Sequence, residues 1–188
     1  MRCLSLLASL ALTACASTHT TPVSVTEMPA PAPPSEQHAW LQQLVGEWRS
    51  VAVGSMGEGV PPMEARSIER VRRLGDLWVL AESDAVVEGT KIQSVMILGY
   101  DPGRGEFVGT WVDSMQTTLW TYIGTLDAAG TTLTLEAVGP AFDDPTKTTN
   151  YRDVLTLVGR DRKTLTSSAQ GPDGAWVEFM RAEFTRVK

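Results

Sequence analysis

Cysteine is nearly missing from this chain of 188 residues, which contains only Cys3 and Cys15. No disulfide can form beyond residue 15, so the stability of that region must come from its core. Histidine is equally scarce, with only His19 and His38. Neither a histidine cluster for a metal nor a Ser-His-Asp set is available after residue 38. We therefore expect no metal site and no cofactor, and catalysis finds little support.

Positive charge is also in deficit, with 16 Lys and Arg against 22 Asp and Glu and a formal net charge of −6. An acidic chain without clustered Lys and Arg is a poor nucleic-acid binder, because neutralising phosphates needs such clusters. Long apolar runs are absent too. The run from Cys3 to Leu12 is too short to cross a bilayer of roughly 30 Å as a helix.

The N-terminus has the features of an export signal, with Arg2 followed by this short apolar run and small residues. The box Leu12-Thr13-Ala14-Cys15 resembles the bacterial lipoprotein signal, which implies cleavage of residues 1–14 and lipid on Cys15. Loss of Arg2 changes the net charge from −6 to −7. Because Ala16 and not Asp follows the cysteine, the resemblance implies lipid anchoring in the cell envelope, at the periplasmic face of the outer membrane.

Residues 15–35 are rich in Ser, Thr, Ala and Pro and nearly free of large apolar residues. Such a segment buries too little surface to fold and favours extended geometry. It is predicted to be a disordered tether that reaches roughly 60 Å when extended.

Residues 36–188 are predicted to form one domain, since about 150 residues suffice for a good core. Ser35 is a possible N-cap, and Trp40, Leu41, Leu44 and Val45 share one face of a short helix that ends at Gly46. Beyond it the apolar period changes to two, with turn signals every 8 to 14 residues or so, which is typical of antiparallel strands. Those signals are Leu74-Gly75-Asp76, Glu88-Gly89, residues 101–105, residues 127–130, Gly159-Arg160-Asp161 and residues 171–174.

About ten strands joined by short connections form either a sandwich or a closed barrel, and closure removes exposed edges. Gly46-Glu47-Trp48, placed after a helix and opening the first strand, resembles the start of the lipocalin and fatty-acid-binding superfamily, the calycins. The resemblance implies an all-β, up-and-down antiparallel barrel with a short N-terminal capping helix. It also implies that Trp48 plugs the closed end under an arginine from the last strand, either Arg186 or, as second choice, Arg181.

A more specific resemblance covers most of the domain. The segments LVGEW, LGYDP, FVGTWVDSM, LDAAG, LTLEAVGP, YRD and DGAWVEFM, in this order, are similar to the bacterial domain-of-unknown-function family 1579, often found in secreted proteins. The family implies a calycin-like barrel and offers no catalytic residues to transfer.

Strand parity predicts which side chains face the interior. If Trp48 points inward, so do Ser50 and Ala52, whereas Arg49 and Val51 point outward. The same rule predicts further interior positions: Ile92, Ser94, Met96, Leu98, Tyr100, Phe107, Gly109, Trp111, Asp113, Trp120, Tyr122, Gly124, Trp176, Glu178, Met180 and Phe184.

An apolar, aromatic cavity with few polar groups suits a small apolar or amphipathic ligand. Glu178 is a candidate for orienting it, or else an exposed residue that pairs with Arg152 or Arg181. Arg152 is suited to binding a carboxylate or phosphate through two hydrogen bonds. Strand alternation, however, points Arg152 and Asp153 to opposite faces of the sheet, so they cannot act together. Asp113-Ser114-Met115 is a second polar cluster that could belong to a ligand-binding site. Its residues are more typical of a hairpin turn, because Asp and Ser side chains bond to nearby backbone at turns. The candidate ligand-binding residues are Met96, Trp111, Asp113, Trp120, Tyr122, Tyr151, Arg152, Glu178 and Met180.

Three functions remain open from these residues: a ligand-binding barrel, a cavity enzyme that uses Glu178, Arg152 or Tyr151, and a structural or interaction module filled by its own side chains. Two carboxylates, Asp143 and Asp144, lie in a predicted loop and mainly keep it solvated, since a calcium site needs more oxygen ligands. The oligomeric state is not predicted.

Overall fold

The structure, a computed structural model, describes residues 33–55 and 61–188. The predicted signal peptide, Cys15 and the tether up to residue 32 lie outside the described residues. No helix in the described ranges has the length and hydropathy needed to cross a bilayer.

The N-terminal helix α1 spans Glu36–Leu41 and continues as a 3₁₀ turn over Gln42–Leu44. Ser35 occupies the N-cap, where its backbone nitrogen donates to His38 Nδ1 over 2.9 Å. The 3₁₀ turn ends at Leu44, two residues before the predicted helix end at Gly46, which already belongs to the first strand. Trp40, Leu41 and Leu44 are buried, as their helical spacing predicts.

Ten antiparallel strands follow the helix in the described part of the chain. They pair in sequence order and close when the first meets the last, so the predicted up-and-down barrel is confirmed. The strands are β1 (Gly46–Gly54), β2 (Met63–Leu74), β3 (Trp78–Val87), β4 (Thr90–Asp101), β5 (Glu106–Asp113), β6 (Trp120–Leu126), β7 (Thr132–Pro140), β8 (Thr148–Leu157), β9 (Arg162–Gln170) and β10 (Trp176–Arg186).

The barrel closes through the pairing of β1 with β10, in which Trp48 lies directly opposite Arg186. Helix α1 covers the end where β1 begins. There the Trp40 ring packs edge-on against Phe107 at 5.7 Å, and its Nε1 donates to the carbonyl oxygen of Gly130 over 2.8 Å. This end holds the largest fully buried side chains, including Trp48 and Phe107.

Strand alternation predicts the interior faces of β1, β4, β5 and β6 correctly. On β1, Trp48 and Ser50 are buried while Arg49 and Val51 are exposed. On β6, Trp120 and Tyr122 are buried.

The prediction is wrong for Trp176 and Glu178 in β10. The pairing of β10 with β9 shifts register between Glu178 and Met180, so Phe179 is an extra residue in the strand. A β-bulge of this kind inverts the alternation beyond it. Phe184 and Met180 therefore keep the predicted inward face, whereas Glu178 and Trp176 turn to the outer surface.

Candidate functional site

Trp48 forms the floor of the barrel. Its side chain has no exposed surface, and its Nε1 donates to the carbonyl oxygen of Leu44 over 2.8 Å. The guanidinium of Arg186 lies 4.0 Å from the ring centroid, as the calycin resemblance implies. The second choice, Arg181, instead pairs with Glu178 on the outer surface.

Gly46 is required by this stacking. A Cβ at position 46 would lie 2.4 Å from Nη1 of Arg186, and the residue has φ of +138°, where a side chain is strained. The same guanidinium donates to the carbonyl oxygens of Val45 and Gln43 over 2.5 and 2.9 Å. In the Gly-x-Trp motif, the glycine therefore leaves room for the guanidinium of Arg186 and the tryptophan provides the ring on which it stacks. The same guanidinium also binds the carbonyl oxygens at the end of the 3₁₀ turn.

A buried ion pair lies beside the floor and was missed from the sequence. The ammonium of Lys163, a residue only 4% exposed, pairs with the carboxylate of Glu69. It also lies 4.8 Å from the Trp48 ring centroid and 4.5 Å from that of Phe184. Burial lowers the pKa of Lys163, and Glu69 partly opposes this. The sequence feature that could have predicted this burial is strand alternation in RKTLTSSAQ, which places Lys163 on the same face as Leu165.

One wall of the interior is built from small side chains. Strand pairing places them next to one another on the inward faces of β1 to β4, above the floor. All of them except Ser50 are half-buried, although they face the inside of a closed barrel. Solvent therefore reaches this small-residue wall. Its members are Ser50, Ala52, Ala65, Ser67, Ala81, Ser83, Ala85 and Ser94.

The opposite wall carries a polar cluster on β6, β8 and β9. The Tyr122 hydroxyl donates to Asp153 Oδ2 over 2.7 Å, and the Ser167 hydroxyl donates to Asp153 Oδ1. Burial raises the pKa of Asp153 above its ordinary value, against the opposing effect of these two hydrogen bonds. Burial and the neighbouring Asp153 raise the pKa of Tyr122, which keeps its hydroxyl a donor. Ser167 was not predicted as a site residue, and Asp153 was considered from the sequence only as the neighbour of Tyr151 and Arg152 in one polar cluster.

Aromatic rings line the interior between this cluster and the open end. Trp120 packs edge-on against Tyr151 at 4.7 Å between centroids, and Phe142 and Phe179 extend the group. The Trp120 ring lies against Gly139, where a Cβ would come within 2.3 Å of it. Its indole Nε1 is buried without a hydrogen-bond partner. Because an unsatisfied buried donor is costly, this nitrogen is suited to an acceptor from a ligand.

Three other candidates from the sequence border this space. Trp111, Met96 and Met180 are partly buried and pack against the core. Asp113 faces inward at the rim, but its Oδ1 accepts from the backbone nitrogens of Met115 and Gln116 over 2.7 and 3.0 Å. The hairpin-turn interpretation of Asp113 therefore holds.

Arg152 and Glu178 do not contribute to the interior. Arg152 donates to Glu136 over 3.0 Å and lies 4.0 Å from the Trp176 ring centroid on the outer surface. Glu178 forms a bidentate pair with Arg181, and its side chain is 42% exposed. Tyr151 points inward and donates to the carbonyl oxygen of Pro140 over 2.5 Å. The three residues considered for a cavity enzyme are therefore not brought together.

Two surface depressions lie outside the barrel interior. One of about 430 Å³ is bordered by Trp40, Gln43 and Leu126, and one of about 290 Å³ by Arg49 and Thr185. No group of three or more His, Cys, Asp or Glu suited to a metal occurs within residues 33–55 and 61–188. Asp144, in the loop between β7 and β8, accepts instead from Thr146 and pairs with Lys147.

Comparison with known proteins supports the fold. A family profile described as a protein of unknown function, DUF1579, matches residues 33–186. No curated protein matches the chain. The structure of Rv2717c from M. tuberculosis is similar, with a TM-score of 0.60 and 15% identity over 82% of this chain and 99% of that one. The S-type phycobiliprotein lyase CPES from Guillardia theta has a TM-score of 0.57 and 13% identity, covering 82% and 94% of the two chains.

Proposed function

The chain belongs to the DUF1579 family, whose description names no function, and we propose from its barrel interior that it binds a small, partly apolar ligand there. The observation that carries the proposal is the small-residue wall. Inward-facing Ala and Ser side chains fill little volume, and solvent reaches them in this closed barrel.

The opposite wall supplies what such a ligand requires. Binding sites for small molecules combine apolar and aromatic surface with a few placed polar groups. Here Trp120 and Tyr151 provide the surface, and Asp153, Tyr122 and the unpartnered Trp120 Nε1 provide polar contacts. The ligand therefore lies between the two walls, above Trp48.

Filling the small-residue wall tests this proposal. Ala85→Leu adds volume on the inward face, whereas Val86→Leu places the same side chain at the next residue, which points outward and is 45% exposed. We expect Ala85→Leu to weaken binding of the neutral fluorescent probe N-phenyl-1-naphthylamine about tenfold or more, because the site loses space. Titration by fluorescence measures it.

The Val86→Leu variant is the matched control and should bind the probe like the parent. Both variants should retain a cooperative melting transition. Equal binding by the parent and by Ala85→Leu would place the probe outside the barrel and contradict the proposal.

A structural or interaction module is the second candidate. It is favoured by the two depressions that lie on the outer surface and by the closed end, which is filled by Trp48, Phe107 and Leu133. Absence of probe binding by a well-folded parent would favour this alternative.

The site of action is proposed from the N-terminus. The L-T-A-C box supports lipid attachment at Cys15, and Ala16 supports the periplasmic face of the outer membrane. Two or more acyl chains would anchor the barrel stably to the membrane.

We expect Cys15→Ser to abolish membrane association in the native host, because no thiol remains at the predicted cleavage site. Detergent partitioning of cell extracts measures this. Cys3→Ser is the matched control, since Cys3 lies in the segment predicted to be removed, and it should partition like the parent. A Cys15→Ser protein that still enters the detergent phase would refute the anchor.

A further inference from the structure

We propose that the ligand of the barrel is cationic, an amine or quaternary ammonium with an apolar body, and that its positive charge is bound by Asp153. This inference rests on the proposed function and deepens it by naming the class of ligand.

The first argument is the balance of charge inside the barrel. Three carboxylates lie on the inward faces of the described residues. Glu69 has the ammonium of Lys163 as its partner, and Asp113, at the rim, accepts from the backbone nitrogens of Met115 and Gln116. Asp153 receives hydrogen bonds from the Tyr122 and Ser167 hydroxyls. Hydroxyls donate to a carboxylate but do not neutralise it. A ligand cation supplies the opposite charge that Asp153 lacks in the described part of the chain.

The second argument is access. Asp153 lies deep on the inward face of β8, opposite Leu135 and Ser167, yet part of its surface remains accessible. Each oxygen of the carboxylate accepts one of the two hydroxyl bonds. A carboxylate offers about four acceptor positions, so positions remain for an incoming ammonium.

The third argument is the aromatic surroundings. Tyr122 contacts the carboxylate, and Tyr151 lies two residues from Asp153 on the same face of β8. Trp120 packs against Tyr151, and Trp111 pairs with Trp120 across β5 and β6. Faces of such rings attract cations, which is how proteins recognise quaternary ammonium groups. An anionic ligand would meet Asp153 with like charge.

Ionisation of Asp153 provides a second readout. Burial raises the pKa of this carboxyl group, and a bound cation favours the ionised form. Binding of a cation should therefore release a proton and tighten as the pH rises above the ordinary carboxyl range. Within the described residues, further titratable or charged groups lie around the interior: Tyr122 on β6, Tyr151 on β8, Lys163 on β9, Glu69 on β2, Asp113 at the rim of β5, Asp143 in the loop beside Tyr151, Tyr100 on β4 with His38 beneath it, and Arg186 at the floor.

The experiment compares three ligands of one chain length: decylamine, decan-1-ol and decanoate. Each is titrated against the full-length protein by displacement of N-phenyl-1-naphthylamine between pH 5 and 8, where decylamine stays protonated. We expect decylammonium to bind at least about tenfold more tightly than decan-1-ol at pH 8 and decanoate to bind most weakly. The advantage of decylammonium should shrink toward pH 5.

Asp153→Asn tests the residue, since it removes the charge and keeps the size of the side chain. It should abolish the preference for decylammonium and its pH dependence while decan-1-ol binding stays within about twofold. Asp84→Asn is the matched control. It removes one negative charge from the outer face of β3, where Asp84 pairs with Arg70, and it should leave the preference unchanged.

Two results would overturn the inference while leaving the proposed function intact. One is equal affinity of the parent for decylammonium and decan-1-ol. The other is an equal loss of the preference in Asp153→Asn and Asp84→Asn, which would assign it to the general acidity of the protein. The proposed function would be overturned as well if none of the three compounds displaced the probe, or if Ala85→Leu did not weaken probe binding.

Discussion

Replacing Trp48 with alanine is expected to lower the free energy of unfolding by about 3 to 5 kcal/mol, the range for large-to-small changes in cores. The side chain has no exposed surface, and its loss would leave a cavity at the closed end of the barrel. The hydrogen bond from its Nε1 to Leu44 would be lost with it, leaving a buried carbonyl oxygen without that donor.

The cations beside the ring increase this cost. Arg186 at 4.0 Å and Lys163 at 4.8 Å both lie against the indole. Without it, two charged groups would border an empty space, and neither would keep its favourable contact with the π face.

Urea denaturation measures the effect, with Trp176→Ala as the matched control. Trp176 also carries a stacked guanidinium, that of Arg152 at 4.0 Å, but it lies on the outer surface. We expect the control to cost about 1 kcal/mol or less. Similar losses in the two variants would contradict the role of Trp48 as the floor.

Glu69→Leu is expected to destabilise the protein by about 3 to 5 kcal/mol, because it leaves the buried ammonium of Lys163 without its partner. A charge in this position cannot be compensated by water, since Lys163 is only 4% exposed. The double change Glu69→Leu with Lys163→Met should recover most of the loss, because well-packed apolar residues commonly replace a buried ion pair without cost.

The single variant should also show a characteristic dependence on pH. Burial lowers the pKa of Lys163, and removal of Glu69 takes away the group that raised it. Between this lowered pKa and the unfolded value of about 10.4, the unfolded chain binds more protons than the folded one. The free energy of unfolding of Glu69→Leu should therefore increase as the pH rises toward the unfolded pKa of about 10.4.

The control for this experiment is Glu82→Leu. Glu82 pairs with Arg72 on the outside of the barrel, where both side chains are more than half exposed. Exposed pairs contribute little, so we expect a change of about 1 kcal/mol or less. A loss in Glu69→Leu no larger than this, or a double variant no more stable than the single, would show that the buried pair does not act as a unit.

The fold could be predicted because its signals are local. An apolar period of two and turn residues at regular spacing predicted the antiparallel strands. The calycin resemblance of Gly-x-Trp after a helix then implied a closed barrel and the arginine on Trp48. Strand parity placed the interior residues of β1, β4, β5 and β6. It also separated Arg152 from Asp153, which point to opposite faces.

The candidate site was predicted less well, and the reasons are particular. One extra residue, Phe179, inverts the face of Glu178 and Trp176, and a bulge leaves little trace in the alternation of a short strand. Lys163 and Asp153 resemble exposed charges in the sequence, because burial of a charged residue depends on a partner from another strand. Their partners, Glu69 and Ser167, are 94 and 14 residues away.

The strands and the short helix before them follow from spacing along the chain, since steric and hydrophobic periodicity act between near neighbours. The capping role of the helix and the floor at Trp48 were implied by the calycin resemblance. Which side chains meet across the interior depended on ring closure, which brings β1 to β10 and sets β3 opposite β8. Pairing of neighbouring strands gathers the alanines and serines of β1 to β4 into one wall, and only ring closure places a carboxylate and its aromatic rings opposite that wall.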